Sequence, residues 1–462
     1  MKSRIVWLLT AMFVVSALCA QTPRNIIVMI ADGCGFEHVR ALNYYEFGRD
    51  SLLVFQSFPV QLAVSTYSMD TAAAYDPVAI RREADAVLDD PTDSAASGTT
   101  LSTGVKTWNH YIGLDAWRRP LQHLSERGYE QSKAVGLVTT MVFGHATPAT
   151  FAVHNANRRD YLGIARQLLT ESNVRVLMGC GNPAVLAADS TDYKPRDFRY
   201  AGGRETWESV LASTPMADCD NDGIGDSWEV VFSREAFLAL ADGDTPVRVL
   251  GVPMAGKTTQ QQREGDPEAD AFAVPFTQGV PSLAEMTNAA LNVLDDDPDG
   301  FFLMVEGGAI DKASHKNWAG RTIEETRDFH QAVQAVLEWV ETHGGWNETL
   351  VIVTADHECG GLVGPGSVCE DNDVRLFPVE NRGAGNMPGM DWLTDHHTNF
   401  LVPFYARGAG SERFGAHVIG NDPEHGPYID NTSIGRTLHE LWGGWNQPEL
   451  KPGAAPHPDS FE

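Results

Sequence analysis

Six short runs along the chain are apolar at nearly every position rather than at alternate ones. They are Asn25–Ile30, Ala134–Val138, Val174–Met178, Phe301–Val305, Leu350–Val353 and Leu401–Tyr405. A strand that is apolar on both faces belongs inside a sheet covered on both sides, the habit of parallel sheets. Pro403 places the last run at a strand start or a sheet edge. Between the runs the period lengthens. From Thr322 to Thr342, the side chains of Phe329, Val333, Val336, Leu337 and Val340 form one stripe, which predicts an amphipathic helix. Thr322 and Glu325 have the spacing of a capping box, and Gly344-Gly345 ends the pattern. Ser433–Trp442 reads as a short final helix. Strands alternating with helices predict the α/β class: three α/β/α layers around a central, mostly parallel sheet, with insertions.

Two stretches break this rhythm. Residues from about 185 to 285 are richer in Asp, Gly, Gln and Pro, and are expected to decorate the sheet. Residues from about 360 to 393 form a second irregular insertion, rich in Gly and Pro. The tail from Trp445 to Glu462 is polar and Pro-rich, and no internal repeat is present. At the other end, Lys2 and Arg4 precede an apolar stretch from Ile5 to Val15 and then Ser16-Ala17-Leu18-Cys19-Ala20-Gln21. This is the pattern of a secretory signal over 1–20, cleaved after Ala20, which leaves one domain over 21–462. The apolar stretch is short of the roughly 20 residues that a membrane span takes. Bulky Leu18 argues against a lipid anchor on Cys19.

Composition narrows the partners. The chain has 462 residues, 43% of them hydrophobic, enough for a large core, and a formal charge of -28. Loss of Lys2 and Arg4 with the signal would deepen that charge. Such acidity argues against nucleic acid and anionic membranes as partners, and no later segment is apolar enough for stable membrane insertion. Any anion site would need concentrated local positive charge, from bound metals and an arginine. Of six cysteines, Cys34, Cys180, Cys219, Cys359 and Cys369 survive cleavage. An odd number leaves at least one free thiol. Export permits disulfides, and Cys359 with Cys369, flanking a Gly-rich loop, is the best candidate pair.

Three acidic clusters directly follow predicted strands: Asp32, Glu306 with Asp311, and Asp356-His357. Parallel α/β sheets bind ligands at the carboxyl ends of their strands, and three acidic clusters at one edge repel one another unless cations lie between them. Asp311 and His315, spaced i, i+4, share a helix face. His396-His397-Thr398 adds a further nitrogen donor. Mixed oxygen and nitrogen donors without cysteine suit catalytic zinc, and an oxygen-only set suits magnesium. Ser94 stands in Pro91-Thr92-Asp93-Ser94-Ala95-Ala96-Ser97-Gly98, whose small residues can open a helix with an anion-favouring N-terminus. A serine hydroxyl needs activation. The G-x-S-x-G elbow is absent and no histidine follows in a serine-hydrolase pattern, so activation by metal is expected. Arg158, in His154-Asn155-Ala156-Asn157-Arg158-Arg159, offers a fork that matches two phosphate oxygens. Separately, Asp218 to Glu229 fits a twelve-residue calcium loop, with acids at positions 1, 3, 5, 9 and 12 and Gly223 at 6. Its ligands would be Asp218, Asp220, Asp222, the Ile224 carbonyl, Asp226 and Glu229. The flanks do not read as a helix pair, so a lone loop is expected.

The segments Asn25–Gly35, Thr92–Asn109, His145–Arg158, Val305–His315, Thr354–Glu358 and His397–Thr398 resemble, in order, the motifs of the alkaline phosphatase family of secreted bacterial type. The resemblance covers most of 24–160 and 300–440, while the middle third matches poorly. It implies metal-dependent hydrolysis of phosphate monoesters through a phosphoserine on Ser94, releasing inorganic phosphate, with activity rising into the alkaline range. It assigns one zinc to Asp311, His315 and His397, and a second to Asp32, Asp356 and His357. A third ion, usually magnesium, falls to Asp32, Thr147 and Glu306. Arg158 would clamp the phosphate, with Arg159 as substitute, and Lys312 would approach it through water. His145 departs from the family pattern, being aspartate in some bacterial members; that leaves open the third ion's identity and whether His145 ligates it or supports a ligand. The resemblance also implies a homodimer, and the signal pattern a secreted or periplasmic protein. Two alternatives stand beside it: a phosphodiesterase of the same superfamily, and a secreted calcium-binding protein with an inactive phosphatase core. The sulfatase pattern C-x-P-x-R is absent around Ser94.

Overall fold

The first apolar run, Asn25–Ile30, is buried at all six positions and forms the centre of the sheet. In chain order the sheet strands are β1 (Asn25–Ile30), β2 (Val60–Ser65), β3 (Ala134–Val142), β4 (Val176–Cys180), β5 (Glu229–Val231), β6 (Val249–Gly251), β7 (Phe301–Glu306), β8 (Thr349–Thr354), β9 (Val402–Gly408), β10 (Gly420–Asp422) and β11 (Gly426–Asp430). The computed structural model describes residues 22–71, 74–186, 197–371 and 373–448. The signal expected at 1–20 and the end of the tail lie outside the described residues.

The strands lie in the order β10-β11-β2-β9-β8-β1-β7-β3-β4-β6-β5. All neighbours pair in parallel except around β9 and β10, which run opposite to the rest. Ile26, Ile27 and Ile30 of β1 are fully buried. Each such side chain contributes about 1.5–3 kcal/mol of burial, so a polar substitution at β1 strikes the sheet at its middle. Helices cover both faces, as the α/β/α expectation requires. No helix among the described residues is long and apolar enough to cross a membrane.

The register places the site. Ile30 stands level with Glu306 of β7 and with Thr354 of β8, and Thr139 of β3 stands level with Glu306. The segments that leave β1, β7 and β8 therefore start from the same height, while β3 runs on to Val142.

Three expectations need correction. The helix predicted to start at Thr322 starts at Ala319, because the Thr322 amide already bonds to the Trp318 carbonyl at 2.9 Å. Thr322 Oγ1 bonds back to that same carbonyl, and Glu325 is buried one turn inside, so the pair is no capping box. The stretch from 185 to 285 does more than decorate: β5 and β6 extend the sheet by two strands. They are tied down by Arg248, which stacks on Trp228 at 3.9 Å and donates to the carbonyls of Val174, Ser172 and Ala217. Finally, Cys359 and Cys369 are both free thiols. Cys359 is buried with its Sγ against the Asp311 carbonyl, and Cys369 sits in the two-stranded ribbon Val368–Glu370/Asp373–Arg375.

Candidate active site and metal centre

Ser94 is the first residue of the helix Ser94–Thr103, whose N-cap is Asp93; Asp93 Oδ1 accepts from the Ala96 amide at 2.9 Å. All ten residues of this helix are buried. Its small side chains allow that: a Cβ on Gly98 would fall 2.5 Å from Thr150 Oγ1. Ser97 Oγ donates to the Asp356 carbonyl at 2.6 Å and so ties the helix to the loop after β8. Ser94 Oγ lies 3.1 Å from His357 Nε2 and 3.5 Å from Arg158 Nη2. Ser94 and His357 are 263 positions apart, which is why no serine-histidine motif was visible in the sequence.

Around this serine the predicted metal ligands converge in three groups. In the first, Nε2 of His315 and Nε2 of His397 approach Asp311 Oδ1 at 3.3 and 3.2 Å. Their far nitrogens are occupied: His315 Nδ1 donates to Asp395 O at 2.6 Å and His397 Nδ1 to Thr92 O at 2.8 Å. Carbonyl partners of this kind fix the tautomer and leave the Nε2 lone pairs aimed at one point. Cys359 borders the same group. His396, by contrast, is exposed and pairs with Asp395. In the second group, His357 Nε2 lies 3.6 Å from Asp32 Oδ1 and 3.3 Å from Asp356 Oδ2. The third group is Asp32, His145 and Glu306, so His145 stands among the donors rather than behind them. Thr147 Oγ1 is buried beside it, and Thr139, which sequence reasoning missed, donates to Glu306 Oε2.

What these atoms lack is partners. Both oxygens of Asp32, Oε1 of Glu306, Oδ1 of Asp311, Oδ2 of Asp356, Oγ1 of Thr147 and Nδ1 of His145 are buried without a hydrogen bond. Each such group costs about 1–3 kcal/mol, more when charged. Convergent, unpaired carboxylates and imidazoles fit divalent cations in all three groups, and fit no arrangement of protein hydrogen bonds.

The electrostatics agree. Burial, reinforced by Asp356, Asp311 and Glu306, holds the Asp32 carboxyl well above the ordinary range. Burial pushes Glu306 up to about 7 and, with help from Asp311, Asp356 up to about 6. Asp311 goes the other way: burial raises it, but the Lys312 ammonium, 2.8 Å from its Oδ2, and the His315 ring hold it well below. Burial keeps His145 and His357 neutral.

Arg158 is the arginine aimed at the serine, while Arg159 is exposed with its amide on Asn157. Its Nη1 pairs with Asp93 Oδ2 at 3.0 Å. Burial raises Asp93, but Arg158 and His110 outweigh it and hold the carboxylate far below its usual range.

A model of the alkaline phosphatase family matches residues 23–418. The chain belongs to the alkaline phosphatase family. It is 29% identical to alkaline phosphatase 3 of Bacillus subtilis over 79% of this chain and 66% of that one. It is 31% identical to alkaline phosphatase H of Pseudomonas aeruginosa, over 79% and 75%. Against alkaline phosphatases 3 and 4 of Bacillus subtilis the chain spans 66% and 62% of their length. The Thermus thermophilus alkaline phosphatase structure superposes with a TM-score of 0.64 at 23% identity, covering 97% of this chain and 98% of that one. The alkaline phosphatase of the Antarctic bacterium TAB5 gives 0.62 at 23%, over 92% and 100%.

Outside this family centre, the calcium-type loop is only partly assembled. Asp218, Asp220 and Asp226 come together. Asp218 accepts from the amides of Asp220, Asn221 and Gly223, as an Asx-type turn does. Asp222 instead accepts from the Ile224 amide, and Glu229 is an exposed residue of β5. No helix pair flanks the loop: helix Arg204–Leu211 precedes it and a strand follows.

Proposed function

We propose that this chain hydrolyses phosphate monoesters by a two-step displacement through a phosphoserine on Ser94. The observation that carries this reading is the position of Ser94 Oγ, at a helix N-terminus, 3.1 Å from a histidine of one cation-type group and 3.5 Å from a part-buried guanidinium. Asp311, His315 and His397 would hold one zinc, Asp32, Asp356 and His357 a second, and Asp32, Thr147, Glu306 and His145 a third ion. Bound there, the ions would supply positive charge against the phosphate oxygens and lower the pKa of the serine hydroxyl and of water. Ser94 Oγ attacks phosphorus in line with the leaving oxygen; the bond from phosphorus to that oxygen breaks, and the proton lost by the serine ends, through water, on the departing alcohol. Arg158 turns from Asp93 to donate its fork to two non-bridging oxygens, and the helix N-terminus favours the resulting anion. Water then attacks the phosphoserine, and Ser94 regains its proton as inorganic phosphate leaves. Lys312, held on Asp311, keeps a positive charge at the rim.

Nitrogen from His145 in the third group shifts preference away from magnesium toward borderline metals. Two TAB5 alkaline phosphatase variants with aspartate or glutamate in place of one histidine are described with Mg bound in the M3 site. The loop Asp218–Glu229 would hold calcium through the three gathered carboxylates, and the N-terminal pattern reads as export to the periplasm or beyond.

The test is acid trapping with a labelled monoester. Label should be recovered on Ser94, and Ser94→Ala should lose several orders of magnitude in kcat while keeping its fold and zinc content. Label on another residue would sink the proposal, and so would Ser94→Ala turning over at the wild-type rate.

A further inference from the structure

Away from Ser94 a second set of donors converges where no sequence motif pointed. His123 precedes the helix Leu124–Glu130, and Glu126 lies in its first turn, so the two side chains meet at one helix end. His154, from the turn after the short helix Ala146–Ala149, brings its ring to 4.2 Å from that of His123. Each of the three offers one ligand atom, and these atoms lie within 4.8 Å of one another.

Three details separate this group from a chance cluster of polar side chains. First, His123 is fully buried and neither ring nitrogen has a hydrogen-bond partner. Its Nδ1 stands 3.2 Å from Glu126 Oε2, an oxygen that also accepts from the His123 amide at 2.8 Å. Its Nε2 is walled off by Gly113, where a Cβ would fall 2.2 Å away. Second, His154 Nε2 lies 2.8 Å from the Leu121 carbonyl. A carbonyl only accepts, so the proton is on Nε2 and Nδ1 keeps its lone pair, the support that metal-binding histidines use. Third, the group opens on a cavity of about 720 Å3 lined by Glu126, Glu130, His154, Glu171 and Asp218, with no lysine or arginine in its wall. That field draws cations in and leaves room for a water ligand.

We propose that His123, Glu126 and His154 form a further divalent-metal site of zinc type. Nδ1 of each histidine and the Glu126 carboxylate would be the protein ligands, and a cavity water the fourth. Two imidazoles and one carboxylate favour zinc over calcium or magnesium. The metal would staple the start of helix Leu124–Glu130 to the turn that leads, four residues later, to Arg158.

The experiment uses the full chain loaded with zinc and then freed of excess. Anomalous diffraction on both sides of the zinc edge should show a peak about 2.0–2.2 Å from the three ligands. Mass spectrometry should count one zinc fewer per chain in Glu126→Gln and in His154→Gln than in the wild type. If His154→Gln fails to fold, Glu126→Gln, with its partly exposed side chain, is read alone. No anomalous peak at these residues while the Ser94 centre is filled overturns the proposal. So does a peak at the Asp218 end of the cavity alone, or a zinc count equal in wild type and Glu126→Gln.

Discussion

Metal removal should make the stability of this protein fall more steeply with pH than it does in the loaded protein. The perturbation is exhaustive chelation, followed by melting between pH 6.5 and 8.5. In the metal-free fold, burial raises Glu306 from 4.5 to about 7 and holds Asp32 well above 3.8. A carboxyl whose folded value lies above its unfolded value adds stability that is complete below the unfolded value. That stability disappears as pH rises through the folded value. Between pH 6.5 and 8.5 Glu306 alone therefore gives up about 1 kcal/mol, and Asp32 up to about 1.4 kcal/mol per pH unit while it still holds its proton. His397 acts in the same direction, because Asp311 outweighs its burial and raises it. His145 and His357 are depressed and act in the opposite direction, but only below their unfolded value of 6.5. Asp311, held low, contributes no slope in this window. The sum is a loss of about 1–4 kcal/mol, or roughly 1–4 °C in midpoint for a chain this long. Reloading with zinc and magnesium should make the curve shallower, since cations then neutralise the ionised carboxylates that protons neutralised before; Glu358 and Glu325, raised by burial outside the three groups, keep their slope in both forms. Calorimetry of chelated and reloaded protein across the window is the assay. Parallel curves for the two forms, or a chelated form that gains stability with pH, would refute the reasoning.

Three further outcomes follow from the same geometry. Arg158→Ala should lower kcat/KM by one to two decades, the worth of about 1.5–3 kcal/mol of charge-assisted bonding, and weaken inhibition by inorganic phosphate; steady-state kinetics that show this for Arg159→Ala instead would shift the assignment. Gly33 has φ +76°, and a Cβ there would fall 2.8 Å from the Asp311 Cα and 2.9 Å from the Cys359 Cβ, so Gly33→Ala should lower zinc occupancy by elemental analysis through displacement of Asp311. Calcium should raise the thermal midpoint and the protease resistance of 197–285, and Asp220→Ala should abolish both effects while ester hydrolysis persists; a melting profile unchanged across a calcium titration would leave the loop an acidic turn.

The parts of this molecule that were legible in the sequence are those with dense local signals. The runs that became β1, β3, β4, β7 and β8 are apolar on both faces because they lie inside a sheet, and burial on two sides leaves a mark in every residue. Strands β5 and β6 have only three residues each, too few for a period to register, so the same stretch read as decoration. The start of helix Ala319–Thr342 was misplaced because a cap is a backbone event, and the Thr322 spacing mimicked one. At the site, Asp32, Glu306, Asp311, Asp356 and His357 were visible as acids and imidazoles at strand ends. Their partners were not: Thr139 looks like any strand threonine, and the carbonyls of Asp395 and Thr92 carry no residue signature. His123 was silent for a related reason: a lone histidine before a helix means nothing until the fold sets His154 against it.

Asp93 shows how one side chain joins two functions that sequence could only place side by side. Its Oδ1 caps the helix that carries Ser94, while its Oδ2 receives the His110 amide and the Arg158 guanidinium. The proposed nucleophile and the proposed phosphate-binding group are thereby indexed to a single carboxylate. That carboxylate stays ionised despite its burial because three donors face it. The arrangement would also set the strength of phosphate binding in the proposed reaction. Arg158 is never an unpaired buried charge, so an arriving phosphate gains only the difference between its own bonds to the guanidinium and those of Asp93. In the proposed reaction, a smaller net gain on binding would keep released phosphate from occupying the site, since the product is the group that Arg158 would recognise.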